Sequence, residues 1–135
     1  MYRIATLLLA LLLSLSAFAE APEEGDEAVI KPTYYSLVPA LVGNYGTGER
    51  LKYYKADISL KVMGPEAEAK VEHHEPLIRN QLIMLFSQQT DDTLATVEAK
   101  EALRQEALKQ VRQVLEQEEG QPLVEDLLFN NLILQ

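Results

Sequence analysis

From Tyr54 to Val62 the chain alternates with a period of two. Tyr54, Ala56, Ile58, Leu60 and Val62 are apolar, and Lys55, Asp57, Ser59 and Lys61 between them are polar. One apolar face and one wet face predict a half-buried antiparallel strand over 50–63. Gly64-Pro65 ends it, and the period then becomes helical. Val71, Ile78, Leu82 and Leu85 fall on one stripe, widened by Leu77, Met84 and Phe86. Pro76 lies inside that stripe without an N–H to give, so the helix is expected to kink there or to restart with Pro76 in its first turn. The polar run SQQTDDT interrupts the pattern over 87–93. A second helix is predicted over 96–118 from Ala99, Leu103, Ala107, Val111 and Val114, with Ala102, Leu108 and Leu115 alongside. Gly120 stops it and Pro122 bars its continuation.

Two further strands frame this core. YYSLVPALVG is aromatic and β-branched, which predicts a strand over 34–43, with Pro39 demanding an edge position or a bulge. GNYGTGE then reads as a turn over 43–49. The closing VEDLLFNNLILQ predicts a strand over 123–134. It is apolar on both faces, too apolar for an exposed edge, and is therefore expected in mid-sheet with helices on one side and other chain on the second. The order β-β-α-α-β describes an α+β domain, an antiparallel sheet packed against two helices.

The first residues follow a different logic. MYRIATLLLALLLSLSAFAE has a short basic start at Arg3, an apolar run from Ile4 to Leu15, and Ala17-Phe18-Ala19. This is the pattern of a secretory signal peptide over 1–19, cut between Ala19 and Glu20, with Ala17 and Ala19 as the small residues of the site. The alternative is a short membrane anchor. The run is shorter than the ~20 residues of a spanning helix, and acidic rather than basic residues follow it. Residues 20–33, acidic with two prolines, read as a linker to a domain over 34–135.

Charge narrows the partners. The formal net charge is −9, and a nucleic-acid binder needs a basic footprint. Adhesion to anionic lipid is disfavoured on the same ground. Cysteine is absent, which removes thiol chemistry and disulfides. His73 and His74 are adjacent, so on a helix they point about 100° apart and grip one metal poorly; a solvated face is the plain reading. The glycines of GNYGTGE lack the Lys and Ser/Thr of a phosphate loop. Ser36, Ser59 and Ser87 sit in no nucleophile motif. No enzyme, cofactor or metal is expected. Tyr34, Tyr35, Tyr45, Tyr53 and Tyr54 cluster in the first two strands; they either pack across the sheet or, in the case of Tyr34, Tyr35, Tyr45 and Tyr53, form a partner-binding patch, since tyrosine favours interfaces.

The ordered pieces also resemble a known family. YYSLVPALVGNYG leads into RLKYYKADISLKV, then EPLIRNQLIMLFS with its internal Pro and Arg, then LATVEAKEALRQEALKQV, then a closing VEDLLFNNLILQ. Together they are similar to the FliL family of flagellar basal-body-associated proteins over about 34–135. Val124, Leu127, Phe129, Ile133 and Gln135 fall where that family's terminal strand has its characteristic residues. The resemblance implies a periplasmic stomatin-like domain that self-associates into rings around flagellar stator channels. It implies influence on motor torque, rotation, swimming, swarming and chemotaxis, from the periplasm beside the inner membrane. The family's usual N-terminal membrane helix is the point of departure, since this start is short and reads as cleavable. The alternative function is a periplasmic scaffold or binding module of another envelope complex.

Overall fold

The computed structural model describes residues 29–135; the leader, its cleavage residues Ala17, Ala19 and Glu20, and most of the acidic linker lie outside that range. The fold is α+β, one antiparallel sheet with its helices on a single face. Its axis is β3 (Lys52–Met63), the strand that alternates in the sequence. Tyr54, Ala56, Ile58, Leu60 and Val62 are all buried. Both flanks of β3 are paired. Along one edge lie β1 (Pro32–Ser36) and β2 (Leu41–Tyr45), and along the other lies β4 (Val124–Leu134), all antiparallel.

β1 and β2 are one expected strand broken in two. β1 runs beside the second half of β3 and β2 beside the first, from Pro32 opposite Met63 to Tyr45 opposite Lys52. The break falls at Pro39, after a cis Val38–Pro39 bond, where the missing N–H removes a ladder donor. Pro32 and Thr33, read from sequence as linker, already belong to β1. Gly43, Asn44 and Tyr45, read as turn, belong to β2, and the reversal comes later, around Gly46 at φ 93°. Gly43 serves packing: a Cβ there would stand 2.6 Å from the Tyr54 hydroxyl oxygen.

The helical layer follows its stripes. α1 (Pro65–His73) and α2 (Glu75–Ser87) meet at His74, and α2 restarts with Pro76 in its first turn. A single turn, α3 (Asp91–Leu94), occupies the run expected to be irregular; Thr90 and Thr93 satisfy each other's backbone N–H at its start. Four polar-rich residues hold too little periodicity to announce a helix. α4 (Val97–Glu119) is capped by Thr96, whose hydroxyl accepts from Ala99 N–H at 3.0 Å, and ends at Gly120 with φ 76°. Its buried stripe is Leu103, Ala107, Val111 and Leu115, so Leu115 rather than Val114 continues it.

β4 departs most from expectation. It pairs with β3 alone among the described residues, so it is an edge strand and β3 holds the centre. Two bulges explain why it reads as apolar on both faces. Register shifts at Asp57/Ile58 and Lys61/Val62 advance β4 by an extra residue twice. Val124, Leu127, Phe129, Leu132 and Leu134 therefore all turn to the core side, leaving Leu128 and Ile133 as the apolar residues of the open face.

Candidate interaction surfaces

The tyrosines do not form one patch. Tyr45 and Tyr54 are buried, the Tyr54 ring tilted by 40° against Phe86 with centroids 5.1 Å apart. Tyr35 is half-buried beside the α1–α2 junction and donates its hydroxyl to Glu75 Oε2 at 2.5 Å. Burial, then the Glu75 carboxylate, pushes this phenol up to about 12. Tyr34 and Tyr53 are exposed on the sheet face without helices. Tyr34 pairs with Lys61, which sets it about 26 Å along the sheet from Tyr53 at ~3.3 Å per residue. Near Tyr53, the residues Val42, Tyr54, Lys55, Ile133 and Gln135 line a shallow concavity of about 320 Å³. This end of the open face is the tyrosine-bearing surface with apolar company.

The charged groups mostly tie elements together. His74 Nε2 meets Glu119 Oε1 at 2.8 Å, joining the α1–α2 junction to the end of α4, and Lys70 adds 3.8 Å to the same carboxylate. The His74 hydrogen bond is the main cause that lowers the Glu119 carboxyl. The two histidine rings meet edge to face at 4.8 Å, which is packing rather than chelation. Arg79 Nη1 stands 3.5 Å from Glu75 Oε1; this is an ion pair without hydrogen-bond geometry, since that buried nitrogen has no hydrogen-bond partner among the described residues. Lys52 pairs with Asp91, fastening α3 to the sheet. No group of three or more His, Asp or Glu among the described residues could hold a metal.

Two arginines missed by sequence reasoning bind α4 to β4. Arg104 Nη1 donates to Asp126 Oδ1 at 2.6 Å and to the Leu127 carbonyl at 3.0 Å, while its other nitrogens hold Glu101. Arg104 is the chief reason that the Glu101 carboxyl falls to about 2. Arg112 donates to the Val124 carbonyl. On sequence they read as members of a mixed-charge solvated face, and nothing in their spacing marks a strand beside them.

The serines are spent on structure. Ser36 and Ser59 share a hydrogen bond at 3.1 Å and Ser59 also accepts from Asn130, while Ser87 donates to the Met84 carbonyl. Apolar surface is more suggestive. Leu77, Ile83 and Met84 lie exposed on α2; Leu77 and Met84 were expected to widen the core stripe, but they sit off the line of Ile78, Leu82 and Leu85. Between α2, α3 and α4 a groove of about 390 Å³ is lined by Leu85, Ala99, Ala102 and Leu103 with Gln89 and Thr93. The arrangement offers surfaces for other chains and no converging acid, base and nucleophile among these residues.

Comparison with known proteins points the same way. The family model described as Flagellar basal body-associated protein FliL matches residues 34–135. The chain is also 30% identical over 101 residues to a protein of Aquifex aeolicus (strain VF5) named Flagellar protein FliL, covering 75% of this chain and 60% of that relative. The chain thus spans less than two thirds of the relative's length.

Proposed function

Since the chain belongs to the FliL family of flagellar basal-body-associated proteins, we propose that it is a non-enzymatic accessory subunit of the flagellar motor. It contacts motor and stator proteins on the periplasmic side of the inner membrane and influences rotation, and through rotation swimming, swarming and chemotaxis. The observation that carries this reading is the extent of the family match, which runs from within β1 to the end of β4 and so takes in nearly the whole fold. The surfaces support it: exposed apolar residues on α2 and on the open sheet face suit protein contact.

Ring-type association of copies belongs to the same reading. Such contacts are heterologous, joining two unlike patches. The open face bearing Tyr34 and Tyr53 and the charged outer face of α4 lie on opposite layers of the fold, as two such patches require. No helix among the described residues is long and apolar enough to cross a membrane; in this reading residues 1–19 are an export signal cut before Glu20, with a short membrane anchor as the alternative.

Deletion of the gene followed by swimming and swarming assays tests the function. Reduced swarming with flagella still assembled is the expected result, together with co-purification of stator components from crosslinked cells. Normal motility and no stator component in the crosslinked fraction would turn the reading toward a scaffold of another envelope complex.

A further inference from the structure

The backbone of β4 is protected along one half and open along the other. Tyr53 and Gln135 exchange both backbone bonds, N–H to O at 2.8 Å each way. Antiparallel ladders alternate bonded and unbonded pairs, so Lys55–Ile133 and Asp57–Asn131 are bonded as well, and Leu132 and Leu134 turn their N–H and C=O away from β3. At the strand's start the outward groups are taken: the Val124 carbonyl by Arg112, the Leu127 carbonyl by Arg104, and the Leu127 N–H by Asp126 Oδ1 at 2.8 Å. For Leu132 and Leu134 no partner occurs among the described residues. Residues 131–135, beyond the bulge at Asn130, carry no charged side chain, no Pro and no Gly, and they lack the devices that usually blunt an edge.

We infer that residues 131–135 of β4 pair antiparallel with the same residues of a second copy, about a two-fold axis at Ile133. In this register Leu132 faces Leu134 of the other copy in both directions, and each such pair exchanges both N–H···O bonds. Opposite residues of an antiparallel pair share a face, so the half-buried Leu132 and Leu134 of both copies join one apolar layer and both helical layers stay on one side. Ile133 meets its own counterpart on the open face. The acidic excess does not stand in the way: five of its acids fall over 20–27, before the domain, and among the described residues it sits on α1, α3, α4 and at Glu125 and Asp126, the far end of the strand.

The other edge of the sheet is the poorer acceptor. It is two five-residue pieces separated at Pro39 and begun by Pro32. The outward backbone groups there belong to open-face residues, Val42 and Asn44 in β2. Joining β4 to them with all helices on one side requires a parallel ladder, which is weaker per residue. Same-edge pairing is isologous and closes at two copies, so it differs in kind from a ring contact and stands or falls separately from the flagellar reading.

The test uses the full chain in sedimentation across protein concentration. A monomer–dimer equilibrium is expected. Ile133→Glu places a carboxylate beside Lys55 within its own chain and against its counterpart across the axis, so it should sediment as monomer at all concentrations with its melting temperature preserved. Mixing the Ile133→Glu and Ile133→Lys chains should restore the dimer. With no native cysteine to interfere, Ile133→Cys should crosslink under mild oxidation, because unbonded pairs bring Cα atoms to about 4.5 Å. Val42→Cys, on the opposite edge and more exposed than Ile133, should not. A chain that stays monomeric without crosslinking overturns the inference. So does an oligomer that survives Ile133→Glu, or equal crosslinking through Val42→Cys.

Discussion

Tyr54 and Tyr35 show how one residue type serves opposite ends of the polarity scale. Burial raises the Tyr54 phenol, and its hydroxyl finds no partner among the described residues. An unpartnered buried hydroxyl costs desolvation with no return. Tyr54→Phe should therefore hold or raise the melting temperature, and a fall of several degrees would show an unseen partner. Gly43→Ala attacks the same contact from the other side and should cost about 1–3 kcal/mol by overpacking against the Tyr54 ring, read from denaturant midpoints. Tyr35 has its partner, and Tyr35→Phe should cost about 1–2 kcal/mol at neutral pH for the bond to Glu75. The folded phenol is raised to about 12, so its stabilisation is whole below the ordinary value near 10 and fades as pH rises through 12. The gap between wild type and Tyr35→Phe should accordingly close over that window in alkaline melts; a constant gap would mean the hydroxyl bond contributes little.

Among the elements, β4 carries the greatest consequence for stability and the least obvious position. An edge strand usually tolerates change, yet Val124 and Leu127 are fully buried under α4 and the two arginines tie α4 to their carbonyls. Leu127→Asp should lose about 3–5 kcal/mol, a charge placed where a core leucine was. Phe129→Asp should lose less, because Phe129 is only half-buried beside Phe86 at 6.0 Å. Equilibrium denaturation ranks the two, and the reverse order would mean that the outer half of β4 packs more tightly than its exposure shows. The α1–α2 junction is the second such hinge of the fold: Pro76 forces a restart, and the side chains around the break, Glu75, His74 and Tyr35, are all engaged in tertiary bonds.

At the scale of the molecule, charge sets how copies meet. At −9 the chain repels itself over about 8–10 Å at moderate ionic strength. Any self-association should therefore strengthen as salt rises from low to physiological, the reverse of a contact made by ion pairs. Sedimentation at two salt concentrations checks the direction, and weakening with salt would assign the contact to opposed charges such as those along α4.

Period and turn chemistry determined the central strand, the helical stretches on either side of SQQTDDT and the stop at Gly120, and left a kink or a restart open at Pro76, because each is set by local sterics and by a single apolar face; the structure takes the restart and caps α4 at Thr96. The order of the pieces also pointed to the family before any contact was known. Tertiary structure decided the rest. Where β4 lies, and which of its residues face the core, depended on two bulges that shift phase between strands, and a bulge is a property of a pair of strands rather than of either sequence. The tyrosines look like one patch because they are close in sequence. The alternation of two strands and the break at Pro39 send Tyr45 and Tyr54 inward and leave Tyr34 and Tyr53 at opposite ends of the open face. Arg104 and Arg112 read as solvent charges until β4 arrives beside them, since a backbone carbonyl leaves no mark in the residue that carries it.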